Sequence, residues 1–287
     1  MVAVSFRAQV VRQQTETGWW ELATRPPVAS IRPYVREYTG YVESSPGLVQ
    51  RREFPAPAIV LIFDLGPLLR LIDPRDQTRF RCHGGGFVAG MDDTYTITEH
   101  DGISHGVQVN LTPISARRLL GIPMALTTQP IAMDDLFTGV DRDVLRRLQD
   151  ARTWDARFDL LDGLFARRMA SAPPAARAPA WAFEQIEASG GLIDIAGLAR
   201  ELGCSPKHLI AQFREHIGLP PKLVARLVRF DRVVRHLRTG ADADWSQLAA
   251  ELGYYDQSHL IRDFRQFTGA TPTEARRMIL AGPVITT

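Results

Sequence analysis

The chain has 287 residues, of which 45% are hydrophobic and 23% charged, with a formal net charge of +2. That is length enough for two domains with separate cores, in a composition ordinary for a globular protein and with no global excess of positive charge. The two cysteines, Cys82 and Cys204, lie far apart and outside any C-x-x-C spacing, which argues against a disulfide scaffold or a structural zinc.

The opening, MVAVSFRAQVVRQQ, lacks the apolar run of a signal peptide, and no later run reaches transmembrane length. A cytoplasmic location without a membrane partner is therefore expected. Up to about residue 140, short β-favouring runs recur at Ala58–Phe63, Leu68–Ile72, Phe87–Ala89, Tyr95–Thr98 and Gly106–Leu111, separated by turn residues. They suggest an antiparallel sheet or small barrel, followed by a helix at Pro113–Leu120. Trp19, Trp20, Tyr34, Tyr38 and Phe63 read either as core or as walls of an apolar ligand pocket.

One titratable cluster stands out here: Cys82, His83, Glu99, His100, Asp101 and His105. A cupin-type metal site would need a His-x-His pair with a following carboxylate, and EHDGISH lacks that pair, so these read as loop and edge-strand polar residues. The run Gly84–Gly86 lacks the Lys-Ser/Thr of a phosphate loop, and no Gly-x-Ser-x-Gly elbow is present. The expectation is no catalysis, no metal and no cofactor. Two helical patterns follow, at about Asp141–Ala151 and Asp155–Met169. The second aligns Phe158, Leu161, Leu164, Phe165 and Met169 on one stripe, which either closes the domain's own core or forms a dimer interface.

The segment SAPPAARAPAWA, residues 171–182, reads as a Pro/Ala-rich linker. Beyond it a pattern is written twice: LARELGCSPKHLIAQFREHIGLPP from Leu198 and LAAELGYYDQSHLIRDFRQFTGATP from Leu248. Each copy has the shape of a helix-turn-helix. Gly203 and Gly253 stand where a helix ends in a left-handed residue. Ser205 and Asp256 stand at the next N-cap, and Pro206 at a first helical position. Leu209 and Phe213, like Leu260 and Phe264, recur at i and i+4 and should face inward. That leaves Lys207, Ala211 and Arg214 outward in the first unit, and Ser258, Arg262 and Arg265 in the second.

Between the units, from Pro220, about nineteen residues with apolar positions Leu223, Leu227, Phe230, Val234 and Leu237 predict a helix roughly 28 Å long. Such a rod could set two recognition helices near one duplex turn apart. From Ser205 to Arg238 the basic residues Lys207, Arg214, Lys222, Arg226, Arg229, Arg232, Arg235 and Arg238 face only Glu215 and Asp231, a balance suited to phosphates.

Residues from about Ala182 to Met278 resemble the DNA-binding domain of AraC/XylS-type transcription regulators. The stronger half is GYYDQSHLIRDFRQFTGATPTEAR, with its Gly-aromatic turn, Arg-x-Phe in the recognition helix, Gly-x-x-Pro and closing Arg276. The family's frequent tyrosine before that arginine is Ala275 here. The resemblance implies seven helices, two tethered helix-turn-helix units and promoter binding, usually for activation. It implies base-facing roles for Lys207, Ile210 and Ala211 in the first unit, and for Ser258, Ile261 and Arg262 in the second. Ser205, His208, Arg214, Gln257 and Arg265 complete the expected DNA-binding set. Ile210 and Ala211 depart from the polar residues common at those positions.

The expected fold is therefore α+β and multidomain. Residues 1–170 form a β-rich, sensor-like or dimerising domain with closing helices, 171–182 a linker, and 183–280 an all-α domain of two tandem helix-turn-helix units. The expected function is sequence-specific transcription regulation responsive to an effector. Double-stranded DNA, a small molecule, a second copy of the chain and, for an activator, RNA polymerase are the expected partners. The alternatives are a metal-dependent cupin-like enzyme with a DNA-binding tail and an architectural DNA binder.

Overall fold

The computed structural model describes residues 7–15, 18–82, 84–240 and 244–281. Ten strands come first: β1 (Gln9–Thr15), β2 (Gly18–Arg25), β3 (Val35–Ser44), β4 (Val49–Glu53), β5 (Ile59–Asp64), β6 (Arg70–Asp73), β7 (Asp76–Cys82), β8 (Phe87–Ala89), β9 (Thr96–His100) and β10 (Ile103–Leu111). Helix α1 (Pro113–Leu120), a 3-10 turn at Met124–Thr128, β11 (Ile131–Ala132), α2 (Met133–Leu136), α3 (Val144–Asp150) and α4 (Trp154–Ser171) close this part. All strand pairs are antiparallel. One sheet has the order β1-β2-β3-β10-β5-β8-β11, and a second, facing it, β4-β9-β6-β7.

Alternation along β3 explains the layering, because successive side chains leave opposite faces of a strand. Tyr41 and Glu43 line a cavity between the two sheets. Tyr38 and Gly40 face the other way, onto α4. Tyr38 stacks on Phe158 and Phe165, with ring centroids at 5.5 and 6.3 Å. A side chain on Gly40 would run into the Trp154 ring, so this position requires glycine for close approach. The stripe Phe158, Leu161, Leu164, Phe165, Met169 is buried in the chain's own core, so it closes the domain. A buried ion pair fastens the two layers: Arg25 Nη2 donates to Asp162 Oδ2 at 2.7 Å.

The second part is helical: α5 (Arg177–Ala188), α6 (Ile195–Glu201), α7 (Pro206–His216), α8 (Pro221–Arg238), α9 (Trp245–Glu251), α10 (Gln257–Thr268) and α11 (Pro272–Ala281). The extended connection is shorter than the 171–182 linker expected, because α5 begins at Arg177. Pro179 is tolerated there since first-turn N–H groups have no intrahelical acceptor. The two parts also do not keep separate cores. One buried apolar cluster runs from Ala23 through Phe165 to Ala275. Among the described residues no helix is long and apolar enough to cross a membrane.

Candidate nucleic-acid interface

The two helix-turn-helix units are built by matching local chemistry. Asp194 caps α6 by accepting from the Ala196 and Gly197 N–H groups, both at 2.9 Å, and Asp244 caps α9 through Ser246 and Gln247 at 2.9 and 3.1 Å. Gly203 and Gly253 then take the left-handed conformation, with φ of 62° and 76°. Ser205 Oγ accepts from His208 N at 3.2 Å, and Asp256 Oδ1 from His259 N at 2.7 Å, which starts α7 and α10. Leu209, Phe213, Leu260 and Phe264 are buried, as their spacing requires. Phe264 meets Phe230 of α8 edge-on at 5.1 Å.

The opposite faces of α7 and α10 carry the expected DNA-binding residues. Ser205, Lys207, His208, Ala211 and Arg214 are exposed in the first unit, and Gln257, Ser258, Arg262 and Arg265 in the second, while Ile210 and Ile261 are half-buried. Two of them are partly engaged: Ser205 as the cap, and Gln257, whose Oε1 accepts from Ser246 Oγ at 3.1 Å. The side chains of Lys207, Arg214, Arg262 and Arg265 have no ion pair among the described residues. Tyr255, 93% exposed beside the α10 N-cap, joins this surface without having been expected. The tandem GYYD offered the signal: one tyrosine packs in the turn, as Tyr254 does, and the other is left over.

The broad cationic surface expected along α8 is corrected. Arg226 donates to Asp263 Oδ1 at 2.6 and 3.1 Å and to Gln266 Oε1 at 2.7 Å. Arg229 donates to the Gly191 carbonyl at 2.7 Å, and Arg235 pairs with Asp231 at 2.6 Å. Burial lowers the Arg238 pKa, with Asp231 opposing that shift. Arg226 and Arg229 thus tie α8 to its neighbours and Arg235 pairs within α8, so these three are not free for phosphate, whereas Lys222 stays exposed beside the recognition helices. If Lys207 contacts phosphate rather than a base, Lys207→Ala is expected to weaken binding to all sequences evenly and to reduce the salt slope by about 1. If it contacts a base, the loss is confined to one position, and titration at several salt concentrations on single-base variants separates the two.

A second concave feature lies between the sheets, a cavity of about 160 Å³ with an aliphatic and aromatic lining that includes Trp20, Tyr41, Phe54 and Phe87. At its polar end Arg51 holds Glu43 through two hydrogen bonds. Burial works against the Glu43 charge, but the neighbouring His100 ring and Arg51 guanidinium outweigh it and keep the pKa at about 2. His100 Nε2 is 3.5 Å from Glu43 Oε2, too poorly aimed for a hydrogen bond, and Nδ1 has no partner among the described residues.

The titratable cluster noted in the sequence is dispersed. Glu99 and Asp101 bind Arg70, Cys82 is exposed, and His105 packs on Trp154. His83 lies outside the described residues. Among the described residues no group of three His, Cys, Asp or Glu side chains is arranged to hold a metal ion. Of the aromatics weighed as pocket walls, Trp20 lines the cavity, whereas Tyr38 and Phe63 are core.

Residues 198–278, which span both units and α8, match the family described as a helix-turn-helix domain. The C-terminal region is an AraC-type helix-turn-helix domain. No curated protein matches the chain. Among solved structures, it is similar to ToxT from Vibrio cholerae O395 at 12% identity and a TM-score of 0.46, over 82% of this chain and 98% of that one. A 1.65 Å structure of ToxT from Vibrio cholerae gives 12% identity and a TM-score of 0.48, over 96% and 98%. An oxalate decarboxylase from Lactobacillus farciminis aligns over 47% of this chain and 38% of its own, at 12% identity and a TM-score of 0.27.

With its AraC-type domain the chain is a DNA-binding regulator of transcription. The seven helices implied by the resemblance are α5 to α11. The N-terminal part grips the AraC-type domain at equivalent places, the C-terminal ends of both recognition helices. At α7, Arg117 of α1 bonds the Glu215 carboxylate at 2.9 Å and its carbonyl at 3.2 Å. At α10, Arg52 donates to the Thr268 and Gly269 carbonyls at 3.2 and 3.4 Å. Cations suit the negative end of a helix dipole. The N-terminal ends of α7 and α10, with Lys207 and Ser258, stay open.

Proposed function

We propose that the chain is a sequence-specific transcription regulator whose AraC-type domain reads two successive major-groove segments and whose N-terminal part responds to a small-molecule effector. The observation carrying this reading is the pair of capped recognition helices whose outward faces hold Lys207, Arg214, Arg262 and Arg265 without ion pairs among the described residues. In this reading Ile210, Ala211, Ser258 and Ile261 also face bases, while Ser205, His208 and Gln257 sit near the backbone. The functional division is residues 1–170 for sensing or dimerisation and α5 to α11 for DNA, joined through the extended stretch 172–176. RNA polymerase is a further partner where the protein activates.

The cavity supports the sensing half of the proposal, being a concave, partly open space that is largely apolar and provided with a few convergent polar groups. Its ionisable lining is Glu43, Glu53 and Asp92 against Arg51 and His100. Three carboxylates against one guanidinium favour an uncharged or cationic amphipathic effector over an anion.

The test is selection of DNA from a random pool by the full-length protein. The recovered sequences should converge on a two-part motif with centres about 10–10.5 base pairs apart, and affinity should fall steeply with salt. A bound pool without sequence preference would replace this reading with architectural DNA binding.

A further inference from the structure

We propose that occupancy of the cavity is read most directly by the second helix-turn-helix unit, through Arg52 and Tyr95 on the outer face of its wall. This rests on the effector-responsive reading and adds the route and the unit it controls. The argument begins with strand alternation. Arg51 and Glu53 of β4 line the cavity, and so do Thr96 at the start of β9 and Thr94 in the bend before it. Arg52, between the first two, therefore projects from the opposite face of the wall, and Tyr95, just before β9, meets Gly269 on that same side.

Both reach the C-terminal end of α10. Arg52 donates to the Thr268 and Gly269 carbonyls, and its guanidinium lies 5.0 Å from the centre of the Tyr95 ring. Tyr95 packs so closely on Gly269 that a Cβ there would come within 2.5 Å of the ring. Gly269 is the left-handed cap of α10, with φ 65°. One wall, two side chains thick, thus separates the cavity from the end of a recognition helix.

The wall is placed to move. β4 is the edge strand of its sheet and pairs only with β9. A ligand pressing on Arg51, Glu53 or Thr96 displaces strands that carry Arg52 and Tyr95 with them. The first unit is reached only by a longer path. Arg117, which bonds Glu215, lies outside the cavity lining, and Met124 beside Gly218 belongs to the 3-10 turn whose Thr127 carbonyl accepts from the Gly90 N–H in the opposite wall. For a ligand to regulate by this route, the two wall positions must differ in ligand affinity.

Arg52 is exposed and outside the cavity, so Arg52→Gln tests the route without emptying the core. Operator affinity is measured for the full-length protein on a selected site and its single-base variants, together with amide hydrogen exchange. In Arg52→Gln, exchange at Thr268–Ala270 should rise at least threefold while Ile217–Leu219 stays unchanged, and base preference should weaken only under the second unit. Ala89→Leu, which fills part of the cavity from the opposite sheet, mimics occupancy. It should shift operator affinity at least threefold in the wild-type background and less than half as much beside Arg52→Gln. Ala89→Val carries the same comparison where the leucine is not accommodated. Equal changes in both units, a cavity effect undiminished by Arg52→Gln, or no effect of the filled cavity would each overturn the route. A wild-type protein that selects no DNA motif would instead overturn the regulator reading beneath it.

Discussion

Replacing Arg262 with alanine is expected to cost about 1–3 kcal/mol on the selected operator and to flatten preference at one base position. Arg262 is exposed on α10, one turn beyond Ser258, and makes no ion pair among the described residues. Its neighbour Asp263 is 1% exposed and held by Arg226. That anchor fixes the rotation of α10 about its own axis and turns Arg262 outward. A guanidinium held there can donate two hydrogen bonds to the O6 and N7 edge of guanine. The matching residue of the first unit is Ala211, whose methyl can touch a thymine methyl and nothing more. The units should therefore read sequence unequally, with the second dominant. Binding of Arg262→Ala to a library of single-base operator variants measures this. A profile parallel to wild type at each position would reduce Arg262 to a backbone contact.

Arg25→Ala should destabilise the protein by about 3–5 kcal/mol, because it strands a buried carboxylate. The Arg25 and Asp162 side chains are 4% and 7% exposed. Asp162 also accepts from the Tyr38 hydroxyl at 3.0 Å and the Val28 N–H at 3.1 Å. Burial raises the Asp162 pKa even with these donors and Arg25 present, and without the cation it must rise further. A carboxyl whose folded pKa lies above its unfolded value holds its proton better when folded. Stability then falls as pH rises from the unfolded value through the folded one. The deficit of Arg25→Ala should be smallest in acid and grow toward neutral pH. Urea unfolding at a series of pH values checks both statements. The double change Arg25→Met with Asp162→Leu should lose less than the single one, since no charge is left buried. A loss below about 1 kcal/mol for Arg25→Ala would show that water reaches Asp162 in its place.

The helix-turn-helix units were legible in the sequence because each of their signals is local. A glycine turn, a capping side chain and an apolar residue four positions on act within one or two helical turns. Helix α1 and strand β8 were legible for the same reason, bounded by their own turn residues. The strands of β4 and β3 were not. VQRRE in β4 shows no apolar alternation, because one of its faces lines a polar cavity wall and the other meets a helix end. Its pairing with β9 crosses more than forty residues of chain, and no local pattern announces a partner at that distance. The arginines of α8 misled for a related reason. Composition shows that a residue is charged, but not that Asp263, Asp231 or a carbonyl awaits it. The linker was drawn too long because Pro179 is a breaker only beyond the first helical turn.

Helix α8 has a consequence for the DNA as well as for the protein. Val224, Leu227, Phe230, Val233, Val234 and Leu237 are buried along its length, and its arginines bind α10 and the α5–α6 turn. A spacer clamped on so many sides acts as a ruler. Under the proposed two-part reading it would fix the rotational phase between the two boxes of a promoter, and one inserted base pair would turn the second box by roughly 35° around the duplex. Promoters served by this protein can drift in letters, above all beneath the alanine-bearing first unit, but not in length. Insertions and deletions between the boxes are the changes that selection would remove.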